Sequence, residues 1–184
     1  MKKIIVVMFA AVAFCSCVTY TPYRPTTKYV LNVSENKFEN YTAYSLDKNI
    51  VYIGEDSNFP CLEFNLQKYI NSKYDTYYWL KIYYLGDNWC FIPEGESLIL
   101  LVDNEKIIFT GKGSWDYRNA VRGGVIELAS YSITPAIIKK LSEAKIIEMQ
   151  LSCDHYNKQA TLKPDNIANI KQFYMEQVKN ELSK

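Results

Sequence analysis

The chain has 184 residues, 48% hydrophobic and 22% charged, the balance of an ordinary globular protein with room for one core. Its formal net charge is +1, it has only three arginines, and its lysines are scattered among acids, so the basic stripe that a nucleic-acid partner requires is missing. Sixteen tyrosines and eight phenylalanines, with many β-branched residues, favour strands over a helix bundle.

Lys2 and Lys3 form a charged start, and residues 4–14 are an apolar run too short to span a bilayer but suited to a secretory signal. Removing residues 1–16 leaves 19 basic against 20 acidic side chains, a net charge of −1. Phe14-Cys15-Ser16-Cys17 resembles the lipobox of bacterial lipoproteins, in which an apolar residue and a small residue precede the cysteine that is lipidated. Phe14 stands where leucine is usual in that family. The resemblance implies lipidation at Cys17, since Ser16 is the small residue that cleavage wants, whereas Cys15 would require cleavage after Phe14. The alternative is a plain cleavable signal with an incidental Cys-Ser-Cys.

With acyl chains on Cys17 the protein is expected to be anchored without spanning, its partner there being the membrane itself. Residues 17–28, rich in Thr and Pro, read as an extended tether holding the domain roughly 30 Å from the lipid. Val18 is not the aspartate that retains lipoproteins on the inner membrane. Nor does an acidic cluster follow Cys17 as in surface-exported lipoproteins of the Bacteroides group, whose uncharacterised exported members the chain resembles. Those sorting rules imply the outer membrane, facing the periplasm.

Residues 29–184 are expected to form a single α+β domain. Weaker strands are read at 29–33, 41–46, 50–53 and 62–69, with Asp47-Lys48-Asn49 as a hairpin turn. The densest apolar stretch, 76–110, supplies the centre of the sheet. Over 77–84, Tyr78, Leu80, Ile82 and Tyr84 alternate with Tyr77, Trp79, Lys81 and Tyr83, and both faces are rich enough in apolar or aromatic groups to predict a central strand. Gly86-Asp87-Asn88 turns the chain, 89–92 reads as a short strand, Pro93-Glu94-Gly95-Glu96 as another turn, and 98–102 as an aliphatic strand. Asp103-Asn104-Glu105 then leads into a strand at 106–110, and short connections predict an antiparallel meander, sandwich-like or open.

Residues 111–124 hold four of the seven glycines and two of the three arginines and read as one conspicuous loop. A strand at 125–131 follows, then a short helix capped by Thr134 with Pro135 at its first position, a strand at 145–151, and a closing helix from Pro164-Asp165. The two helices are expected to cover the sheet. Trp89, Phe91 and Ile92, an aliphatic hairpin, Glu127 and Tyr131, and Ile-Thr before a short helix together resemble a module of uncharacterised exported bacterial proteins; that resemblance brings no activity.

Among candidate sites, Trp115, Tyr117, Arg118 and Arg122 are residue types that dominate binding hot spots, and a loop between strands would present them to an envelope protein or glycan; the same residues can instead serve as cover for the sheet edge. The aromatic face of Tyr77, Trp79 and Tyr83 reads as core or as a surface for sugars or peptides. Cys153 and the lone histidine, His155, offer a nucleophile with its base or half a metal site, without the further groups that either needs. Glu94, Glu96, Asp116 and Glu127 are carboxylates whose spacing brings no pair together. Cys61, Cys90 and Cys153 form no short-spaced pair; one disulfide with a free thiol fits, but Cys90 inside a strand and Cys61 at the start of one read first as small buried hydrophobes. No phosphate-loop glycine pattern occurs, and no metal or cofactor is expected. The sequence predicts a lipid-anchored, non-catalytic binding protein; a structural or assembly component of the envelope, and a hydrolase using Cys153 and His155 or an unseen carboxylate pair, are the alternatives.

Overall fold

The computed structural model describes residues 27–54, 61–71, 74–117 and 124–181. The first half of the chain lays down β1 (Val30–Asn36), β2 (Tyr41–Asp47), β3 (Ile50–Tyr52), β4 (Cys61–Asn71) and β5 (Tyr74–Gly86). There follow β6 (Glu94–Val102), β7 (Glu105–Tyr117), β8 (Val125–Ser132), helix α1 (Pro135–Glu143), β9 (Ile147–Ser152), β10 (Asn157–Leu162) and helix α2 (Pro164–Gln177). The ten strands make one sheet in the order β1-β2-β4-β5-β8-β7-β6-β9-β10, with β3 also on β4, and all pairs are antiparallel.

Strands account for 58% and helices for 19% of the described residues, so the α+β expectation is overturned: this is a sheet-dominated fold. Both expected helices form, and the strand share is larger than expected because residues 111–117 and 157–162, read as loop or left unassigned in sequence, are strand. Three local expectations also fail. Asp47-Lys48-Asn49 is not a hairpin turn, because β2 and β3 both pair with β4 and run in the same direction. Residues 93–96 are not simply a turn, since Glu94 already pairs with Lys112. Residues 89–92 are not a strand; Phe91 has a φ of 51°, far from extended.

The simple meander fails at the same place. β5 is followed in space by β8, β7 and then β6, so the chain after Gly86 crosses two strands before rejoining the sheet, a Greek-key arrangement. Three inter-strand steps are about 14 Å, and the seven residues between β5 and β6 reach about 23 Å extended, so a short strap suffices. The β6–β7 hairpin turns on Asp103 and Asn104, both at positive φ (48° and 70°), the geometry favoured in two-residue hairpins.

Alternation decides what is buried. Tyr78, Leu80, Ile82 and Tyr84 of β5, Leu62, Phe64 and Leu66 of β4, and Leu98, Leu100 and Val102 of β6 share one core with Ile138 and Leu141 of α1 and Ile170 and Phe173 of α2. Thr134 caps α1 by accepting from the Ile137 N–H at 3.3 Å. The two helices pack on each other, and β3 and β10 approach each other although they stand far apart in strand order, so the sheet curls around the helices. One face is therefore filled, and the other faces outward.

Candidate binding face

The outward half of the β5 alternation carries Tyr77, Trp79, Lys81 and Tyr83; Tyr77 is 46% and Trp79 37% exposed. The core reading of this face is corrected by the structure: the buried residues of both helices cluster with Tyr78, Leu80, Ile82 and Tyr84, the opposite half of the alternation. Strand pairing sets the neighbours. Tyr69 stands opposite Tyr77, and Gln67 and Ser132 flank Trp79. The Tyr41 ring lies 4.2 Å from that of Tyr69. At the other end Leu128 lies between Tyr83 and Trp115. Lys81 sits between the two aromatic ends, and burial pulls its ammonium below the ordinary value, with Asp47 acting in the opposite sense.

Four strands at ~4.8 Å spacing and six residues at ~3.4 Å rise give a face of about 14 by 20 Å from Tyr69 to Trp115 and from Tyr77 to Tyr83. That area also takes in Gln67, Lys81, Ser130 and Ser132, so the exposed aromatic groups, Tyr77, Trp79 and Trp115, are set in a mixed polar and apolar face.

Trp115 is 66% exposed, but it is on β7 opposite Leu128 and not on a loop. The loop assigned to 111–124 is thus strand as far as Tyr117, whose backbone pairs with Ile126. Arg118, Arg122 and Cys17 lie outside the described residues. The early glycines have another purpose. Gly113, at a φ of 82°, marks a bulge, and a Cβ there would meet the Ile92 carbonyl oxygen at 3.1 Å; the next residue, Ser114, donates its N–H to that same oxygen at 2.9 Å.

Ile92 belongs to the crossing strap. Glu127, fully buried on β8, accepts from three successive strap N–H groups: Cys90 and Phe91 through Oε1 (the latter at 3.0 Å) and Ile92 through Oε2 at 3.2 Å. The other side of the strap is held by the Cys90–Cys153 disulfide, an Asp154 N–H to Cys90 carbonyl bond of 3.0 Å, and the Tyr156 hydroxyl on the Trp89 carbonyl at 3.1 Å.

These contacts dispose of the catalytic candidates that can be seen. Cys153 is oxidised and has no thiolate to offer, and the His155 side chain is 84% exposed, 3.2 Å from Asp154. Glu127 is committed to backbone, while Glu94 and Glu96 are exposed on β6. Among the described residues no three His, Cys, Asp or Glu side chains are grouped to hold a metal ion. Sequence reasoning missed Tyr41, Tyr69 and Leu128; their alternation marks them as one face, but only the position of the helices shows which face stays open.

Fold and face together define a one-sheet, helix-filled β protein with an aromatic outer surface. No protein family, no curated protein and no solved structure matches the chain.

Proposed function

We propose that the chain is a lipid-anchored cell-envelope protein of the non-catalytic binding type, held at the outer membrane through Cys17 and facing the periplasm, which takes an envelope protein or glycan on its outer aromatic face. The observation that carries the reading is the exposure of Tyr77 and Trp79 on β5 and of Trp115 on β7, on either side of β8 in one sheet. Aromatic side chains left in water at this density cost solvation free energy that a partner recovers. Export is supported by the Cys90–Cys153 disulfide, since such bonds persist in oxidising compartments. A purely structural envelope component would favour a face without an exposed aromatic patch, and the patch argues for binding.

Trp79→Ala combined with Trp115→Ala tests the face. The variant is expected to keep its unfolding free energy within about 1 kcal/mol of the parent while losing about 2 kcal/mol or more of affinity for envelope partners captured by the parent. Unchanged capture contradicts the reading. For the anchor, fatty-acid label should disappear in Cys17→Ala; label that persists there and disappears in Cys15→Ala places the lipid on the wrong cysteine.

A further inference from the structure

The sheet ends differently on its two sides. β10, at one end of the strand order, lies against β3 of its own chain, whereas β1, at the other end, pairs with β2 alone among the described residues. The far edge of β1 is therefore a row of backbone N–H and C=O groups that β2 cannot reach. β1 also lacks the devices that keep such an edge closed. Its seven residues include no proline or glycine, and its register with β2 is unbroken from Val30↔Asp47 to Asn36↔Tyr41. Its one charged side chain, Glu35, stands next to its end. Asn32, Val33, Ser34 and Glu35 are exposed; Val33, the central residue, is 54% exposed and shares a face with Leu31, which packs against the core.

The sequence of β1 complements itself. Homodimers are built on a two-fold axis, which here sets two β1 strands antiparallel with the helix-covered faces of both sheets on one side. Residues standing opposite one another must then share a face, so the axis passes through a residue of β1 and not between two. With the axis on Val33, this side chain meets its own copy, Asn32 stands across from Ser34, and Leu31 across from Glu35. With the axis on Asn32, Leu31 stands across from Val33 twice and Glu35 across from Tyr29. In both registers Val33 gains an apolar neighbour in place of water, and in neither do like charges oppose each other. The assembly also closes at two copies, since the outer ends of the joined sheet are β10 strands already lying against β3.

We propose that β1 is a homodimerisation edge, at which two copies of this chain join antiparallel about a two-fold axis at Asn32 or Val33 into one continuous sheet. Both aromatic outer faces then lie on one side of that sheet. The pairing depends neither on a lipid at Cys17 nor on what the aromatic faces take.

Sedimentation equilibrium and amide hydrogen exchange test it on residues 17–184 carrying Cys17→Ala, so that no acyl chain contributes. An edge of seven residues, ~24 Å long, is a small interface, and a dissociation constant on the order of micromolar is expected. Amides of β1 should become protected as the concentration rises through that constant. Val33→Glu, at an exposed position, should keep the parent's unfolding midpoint, weaken the dimer at least about tenfold and leave the β1 amides unprotected where the parent's are protected. A chain that stays monomeric up to about 1 mM overturns the proposal. So does a dimer whose β1 amides exchange freely at every concentration, which would put the interface elsewhere. Protection of β1 that appears only on adding envelope extract also overturns it, and would give the edge to a strand of another protein.

Discussion

The backbone N–H of Phe91 donates to the Glu127 carboxylate at 3.0 Å, across 36 positions of sequence, and holds an exposed phenylalanine at positive φ. Neither residue explains itself alone. The strap cannot pair as a strand while it crosses the sheet, so its N–H groups need another acceptor, and a buried carboxylate needs donors. Glu127→Ala should therefore cost about 3 kcal/mol or more, because Cys90 and Ile92 are buried and lose their acceptor. Glu127→Gln, which keeps one acceptor oxygen, should cost less. Urea unfolding measures both, and an unchanged midpoint for Glu127→Ala would mean the strap is held by other contacts.

The disulfide closes a separation of 63 residues, for which the loop-entropy relation gives about 4 kcal/mol. Reductant should lower the unfolding midpoint accordingly. In denaturant without reductant, alkylation should reach Cys61 but neither Cys90 nor Cys153; labelling of all three would show that the bond is absent.

Cys61 supplies a pH dependence. Burial, with Glu63 acting in the same sense, pushes its thiol from 9.0 up to about 11. The folded state thus holds this proton more tightly than the unfolded chain. The contribution is fully present below pH 9 and is lost as pH rises towards about 11. Cys61→Ala should flatten the fall in stability over that window, and an identical profile in the variant would remove the thiol as its source.

Leu100 is fully buried, and Leu100→Ala should cost on the order of 2 to 5 kcal/mol by chemical denaturation. Trp79, which the sequence invites one to place in the same core, is on the outer face, and its truncation should cost about 1 kcal/mol or less. Equal losses for the two would restore the shared-core reading.

This contrast shows what was legible in the sequence. Periodicity located β5, β8, β9 and both helices, because each buries one face and says so every second or every third to fourth residue. It could not say which face of β5 the helices cover, since both faces are aromatic. The strap was unreadable for another reason: its partners, Glu127 and Cys153, are distant in sequence, and Trp89-Cys90-Phe91-Ile92 has the composition of a strand. Glycines at 111 and 113 looked like a loop, whereas Gly113 marks a bulge where the strap closes on β7. Of the candidate site, Trp115 was read on a loop and stands on β7; the face it extends was seen only as Tyr77, Trp79 and Tyr83.

Photo-crosslinking in the intact envelope measures the binding face most directly. A photoreactive side chain placed at residue 115 on the outer face is compared with one at residue 175 on α2, where Met175 is also exposed. A discrete adduct from position 115 and none from position 175 is the predicted result. Adducts of equal yield from both positions, or from position 175 alone, would contradict the assignment of binding to the outer aromatic face.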